Sequence, residues 1–117
     1  GMETGDVNDD GKIDIVVTYE NDRVKIYYQT VDGFEPQSFI SPSQHGNEIT
    51  IDDIIGDAKK ELIIKNFSKV HVFEQDSSGV FSLASTISGP FNWGINGIAT
   101  GDLYSGYKNE LVITYGS

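Results

Sequence analysis

Cysteine is absent, so the chain has no disulfide framework, no thiolate metal site and no thiol nucleophile, and its redox compartment cannot be read from cysteine usage. Basic residues are scarce: 8 Lys plus Arg stand against 18 Asp plus Glu, for a net charge of −10. Without a basic cluster, the electrostatic attraction that supplies most non-specific nucleic-acid affinity is missing, and anionic membrane surfaces are disfavoured. No apolar run approaches the roughly 18 to 20 residues that span a bilayer, and the first residues show no basic stretch followed by an apolar one, so membrane insertion is not expected. Gly-x-Ser-x-Gly, His-Glu-x-x-His and Gly-rich phosphate-loop patterns are also missing. Of the two histidines, His45 sits in a Pro/Ser/Gln/Gly stretch, and His71 alternates out of phase with Val70 and Val72, which reads as a solvent-facing strand position. The chain is therefore expected not to be an enzyme.

What is present is a succession of short β-rich runs. They cover Ile13 to Tyr19, Val24 to Tyr28, Gln37 to Ile40, Glu48 to Ile51, Leu62 to Lys65, Lys69 to Glu74, Phe81 to Ile87, Ile95 to Ala99 and Leu111 to Tyr115. Turn signals separate them, among them Asp10-Gly11, Glu20-Asn21-Asp22, Asp32-Gly33 and Asp76-Ser77-Ser78-Gly79. No run has the length of a typical helix, and the fold class is read as all-β. At 117 residues the chain can form one core and bury roughly two-thirds of the surface its unfolded form exposes.

The runs repeat. Residues 47 apart correspond without a gap: Asp6, Asp10 and Asp14-Ile15-Val16-Val17 fall on Asp53, Asp57 and Glu61-Leu62-Ile63-Ile64. Residues 96 apart correspond again, Thr4-Gly5-Asp6-Val7 with Thr100-Gly101-Asp102-Leu103 and Asp14 to Tyr19 with Glu110 to Tyr115. A period in this range marks a repeat architecture, and four short antiparallel strands per repeat have the size of one β-propeller blade. The expected division is 1–45, 46–93 and a partial third repeat at 94–117, about two and a half blades. Closed propellers typically use four to eight, so the chain is expected either to be a fragment of a longer propeller or to complete its half blade in a homo-oligomer. The edge at Leu111 to Tyr115 would need a cover.

Chemistry is concentrated in residues 5–17, GDVNDDGKIDIVV. Asp6, Asn8 and Asp10 occupy alternating positions of a loop, Gly11 permits the sharp turn, Lys12 can offer its backbone carbonyl, and Asp14 follows two residues later. Hard oxygens in this order suit Ca²⁺, which takes 6 to 8 of them. The alternative is a set of Asx turns in which the side chains satisfy backbone amides without an ion. Crowding favours the ion, because Asp6, Asp9, Asp10 and Asp14 have only Lys12 among them. An EF-hand loop would carry a carboxylate at its twelfth position, where this chain has Val17 and enters a β-branched run.

This segment resembles the calcium loop of the FG-GAP and VCBS repeats, the blades of integrin α-subunit propellers and of many bacterial surface proteins and lectins. The resemblance implies a Ca²⁺ site at Asp6, Asn8, Asp10, the Lys12 carbonyl and Asp14, an extracellular or cell-surface location, and an adhesion or ligand-binding role toward a protein or a carbohydrate. A scaffold piece of a larger polysaccharide-active enzyme is the alternative it leaves open. In the second copy Ile55 replaces Asn8 and Ala58 replaces Gly11, and in the third Tyr104 and Gly106 stand at the second and third ligand positions. Those two loops are expected to have lost the ion, with Lys59, Lys60 or Lys108 offsetting the remaining acids.

Tyr19, Tyr27, Phe39, Phe67, Phe73, Phe81 and Tyr115 lie in or beside strands and are read as core or inter-blade packing. Trp93 differs. It lies in a Gly/Pro-bounded connection, where it would either plug the gap between blades or stack on a ligand.

Overall fold

The β-branched and aromatic residues that alternate along the chain need a pleated surface with a covered face, and the computed structural model gives them one. It describes residues 1–19, 23–40, 46, 48–89, 94–104, 106 and 108–116. Ten strands follow in order: β1 Met2–Gly5, β2 Asp14–Thr18, β3 Arg23–Thr30, β4 Gly33–Ile40, β5 Glu48–Asp52, β6 Glu61–Lys65, β7 Lys69–Gln75, β8 Phe81–Ser88, β9 Gly94–Gly101 and β10 Glu110–Gly116. All pairs are antiparallel. They form two four-stranded meanders, β1-β2-β3-β4 and β5-β6-β7-β8, and a two-stranded sheet of β9 and β10. The fold is all-β, with four-stranded antiparallel sheets of the propeller-blade type and, among the described residues, no closed barrel. Among the described residues, no helix is long and apolar enough to cross a membrane.

The sheets stack face to face through two apolar seams. Val7, Val16, Val24 and Ile26 of the first sheet and its loop meet Ile49, Leu62, Ile64, Phe73 and Phe81 of the second, with Tyr28, Phe39 and Ile51 alongside. On its other face the second sheet sets Ile63, Val70 and Val72 against Ile95 and Ile98, flanked by Leu111, Ile113 and Tyr115. The middle sheet is thus covered on both sides, and every residue of β6 is buried. Its run Glu61-Leu62-Ile63-Ile64-Lys65 does not alternate because neither face meets water.

That double cover corrects the reading of His71. Its phase opposite to Val70 and Val72 holds, but the opposite face is the one packed on the first sheet, so His71 is 3% exposed. Its Nδ1 lies 3.0 Å from Thr86 Oγ1, and its Nε2 is buried with no partner among the described residues. Phe67 and Tyr19 also depart from their reading as packing residues: Phe67 is 72% exposed and Tyr19 is exposed too. Phe67 still shapes the second seam, because a side chain at Gly94 would meet its ring at 2.7 Å, and Ile95 N donates to its carbonyl.

The run expected at Gln37 to Ile40 begins earlier, at Gly33, and carries Pro36 within it. Pro36 is tolerated because β4 is the outer strand of its sheet, where an N–H toward solvent is dispensable. The β10 edge of the two-stranded sheet has no strand beside it among the described residues. His45 and Trp93 lie outside the described residues.

Burial, with a further push from the Lys69 charge, holds His71 below its ordinary value near 6.5. A base whose folded pKa is lowered contributes stability above its unfolded value, and that stability is lost as pH falls through about 6.5 and the unfolded chain takes up the proton. The urea midpoint is therefore expected to be lower at about pH 5.5 than at pH 7.5, with the drop shrinking in His71→Gln; equal drops in both proteins would refute this.

Candidate metal centre

Three acidic loops lie at equivalent places, each joining the first and second strands of its sheet: 6–13 between β1 and β2, 53–60 between β5 and β6, and 102–109 between β9 and β10. Each is closed by the acid that opens the following strand. Asp14 Oδ2 accepts Val7 N at 2.8 Å, Glu61 Oε2 accepts Ile54 N at 2.7 Å, and Glu110 Oε2 accepts Leu103 N at 2.8 Å. Asp14 is 0% exposed, and its second oxygen takes Gln29 N at 3.0 Å. A carboxylate so deep in the fold is held by charge-assisted bonds from fixed amides.

The first two loops share one internal frame. Asp6 accepts Asp10 N at 3.1 Å and Gly11 N at 2.8 Å, and Asp53 accepts Gly56 N at 2.7 Å and Ala58 N at 2.9 Å. Asp10 accepts Lys12 N, and Asp57 accepts Lys59 N. Both loops also place two residues in left-handed conformation: Asp9 (φ 59°) and Gly11 (φ 83°) in the first, Gly56 (φ 89°) and Ala58 (φ 66°) in the second. The glycine has moved from the second left-handed position to the first. Ala58 thus keeps the turn with strain rather than abolishing it.

In the first loop the side chains of Asp6, Asn8 and Asp10 come together. One terminal atom of the Asn8 amide lies 3.0 Å from Asp10 Oδ1 and 3.2 Å from Asp6 Oδ1. With nitrogen there, the amide donates to both carboxylates. With oxygen there, three oxygens from alternate residues converge with no proton between them, an arrangement that suits a hard cation. The donor set, two carboxylates and an amide oxygen, fits calcium. Lys12 lies two residues beyond Asp10, with its amide on the Asp10 carboxylate. Asp14 lies at the base of the loop with both oxygens on backbone amides, as Asp6 has.

In the second loop, oxygens of Asp53, Asp57 and Glu61 all lie within 4.8 Å of one another. Burial pushes the Glu61 carboxyl above the ordinary carboxylate range; the Ile54 and Ile55 amides oppose that push, and the Asp57 and Asp53 charges add to it. Lys60, expected to offset these acids, places Nζ 3.1 Å from Asp9 Oδ1 in the first loop and still lies near enough for the Asp53 and Asp52 charges to act on it. Its own pKa is raised chiefly by that bond.

Side chains far away in sequence tie the loops together, and the apolar pattern gave no sign of them. Gln75 at the end of β7 is buried, and its Nε2 donates to Val7 O at 3.0 Å and Lys60 O at 2.9 Å, one carbonyl from each loop. Asp52 accepts Thr100 Oγ1 at 2.7 Å and the Asn109 amide at 2.8 and 2.9 Å, joining the second sheet to the third. Partial burial pushes Asp52 upward, but these bonds hold it below the ordinary carboxylate range. Beside the first loop, a groove of about 260 Å³ is lined by polar side chains including Asn8, Asp10, Gln37 and Gln75, with Tyr28 among them and no Lys, Arg or His.

A model of the FG-GAP-like repeat matches residues 6–64, half of the chain, and so spans the first two acidic loops. Neither the curated proteins nor the solved structures gave a match.

Two outcomes follow from the loop geometry. Asp14→Ala leaves two amides without an acceptor and is expected to cost about 2 to 6 kcal/mol in chemical denaturation, with Asp14→Asn costing less; a loss under ~1 kcal/mol would remove Asp14 from this role. Ala58→Gly relieves the left-handed alanine and is expected to stabilise by about 1 kcal/mol, and destabilisation would show that the strain is not there.

Proposed function

Because the chain belongs to the FG-GAP-like repeat family, we propose that it is a non-catalytic calcium-binding segment of a β-propeller that holds a protein or carbohydrate ligand through its loops. The observation that supports the calcium part is that the Asn8 amide end reaches both Asp10 Oδ1, at 3.0 Å, and Asp6 Oδ1, at 3.2 Å, which places the three side chains side by side in the first loop. These three residues and the Lys12 carbonyl would hold the ion. Asp14, the remaining member of the set, closes the loop from behind through Val7 N and Gln29 N, and like Asp6 it has both oxygens on backbone amides. The ion's contribution is charge: it neutralises carboxylates that otherwise repel within a loop that carries one lysine.

A site of this open kind works at the millimolar calcium found outside cells, which supports an extracellular or cell-surface location. For the ligand, the groove beside the first loop offers amides, hydroxyls and carboxylates with no cation, a lining suited to a neutral polyhydroxylated or weakly basic group rather than an anion. The propeller form supports a display role, since stacked sheets hold their loops rigidly in register.

Ion binding to the folded state alone stabilises it by mass action, about 1.4 kcal/mol at tenfold excess over Kd. Millimolar calcium is therefore expected to raise the thermal midpoint by a few degrees over EDTA. Asp10→Ala is expected to remove the first loop's share of that rise. An unchanged calcium response in Asp10→Ala would take the ion away from this loop.

A further inference from the structure

We propose that the polar groove between the first two sheets takes one basic side chain of a partner protein, an arginine guanidinium, through Gln75, Glu35 and Asp10. The proposal deepens the ligand-holding reading above and rests on it, but it does not rest on calcium.

The groove of about 260 Å³ has Tyr28, Glu35 and Gln37 of β3 and β4 on one side and Gln75, Ser78 and Gly79 of β7 and its following turn on the other. Sites for drug-sized ligands have roughly 300 to 1,000 Å³, so this one suits a single side chain or one sugar ring.

Gln75 supplies the first observation. It is 9% exposed, and its Nε2 is held by two carbonyls, Val7 O at 3.0 Å and Lys60 O at 2.9 Å. Turning the amide over would set its oxygen against both carbonyl oxygens, so Oε1 has one orientation. It lies 3.9 Å from where a side chain on Gly79 would begin, at the groove wall. Among the described residues no group donates to it. A nearly buried acceptor that the chain leaves without a donor is a fixed place for a ligand's N–H.

The charge of the ligand follows from the two carboxylates. Asp10 gives Oδ1 to Lys12 N and keeps Oδ2, while Glu35 is exposed on the outer strand β4. Neither forms an ion pair among the described residues, which include all eight Lys and Arg, and none of those eight lines the groove. A neutral sugar would leave both charges uncompensated, whereas a cation relieves them, and the net charge of −10 draws it in. A guanidinium fits better than an ammonium. The acceptors come from three separate side chains, and a planar cation donates in several directions while its face meets an aromatic ring, which Tyr28 offers.

The test is titration of the full chain, in the presence of a chelator, with Nα-acetyl-arginine amide, read by backbone amide shifts. Nα-acetyl-citrulline amide, of the same shape without the charge, and a neutral methyl glycoside are titrated in parallel. The arginine probe is expected to shift the amides of Gln75, Ser78 and Gly79 saturably, with the citrulline probe about tenfold weaker. Glu35→Gln removes one charge at an exposed position and is expected to weaken the arginine probe roughly threefold. Ser78→Lys places a cation at the rim and is expected to abolish the shifts. Equal affinity for arginine and citrulline, or an unchanged arginine titration in both variants, would overturn the proposal. Shifts of the same amides by the glycoside and not by arginine would overturn it too, while leaving the groove a ligand site; no shift with any probe would remove the groove from both readings.

Discussion

Each repeat puts a carboxylate at the first residue of its second strand, and that group accepts the amide just after the loop's leading aspartate: Asp14 from Val7, Glu61 from Ile54 and Glu110 from Leu103. The bond closes a loop of eight residues onto the start of its own strand pair. It sets where β2, β6 and β10 begin, and in the first two repeats it leaves the remaining acids on the outer side of the turn. Because Asp14 and Glu61 are fully buried, the acceptor must be matched by fixed donors, and the backbone supplies them at no cost in side-chain entropy. The ion proposed for the first loop would add to a shape that the chain has already adopted.

The second constraint is the double cover of the middle sheet. Leu62 and Ile64 face one seam while Ile63 faces the other, so the loop at its end is anchored by a strand with no exposed face. Polar ties then cross both seams. Gln75 holds a carbonyl from each of the first two loops, Lys60 reaches Asp9, and Asp52 receives Thr100 and Asn109. The acidic loops are therefore positioned relative to one another. For the proposed ligand-holding role, loops fixed in this way would lose little ordering entropy on binding.

Much of this was legible in the sequence. The repeat, the all-β class, the strand pairs around Asp14 and Glu61 and the special character of residues 5–17 follow from spacing alone. What escaped did so for identifiable reasons. His71 obeys the two-residue period, but the period does not tell whether the second face is wet. Pro36 hides a strand whose outer position makes it harmless. Ala58 looks like the loss of a turn glycine, yet the glycine had moved two residues back, to Gly56, and only the backbone conformations reveal that both left-handed positions persist. Gln75 ends an apolar strand with nothing in the pattern to mark it.

The central claim, that the loops are closed by their own carboxylates before any ion is added, is tested most directly by amide hydrogen exchange of Val7, Ile54 and Leu103 in the presence of a calcium chelator. Exchange slowed to the level of neighbouring strand amides at all three positions is the predicted result. Exchange at the rate of an unprotected loop at Val7 and Ile54 would show that the acids do not hold the loops unaided, and the ion would become the element on which the rest depends.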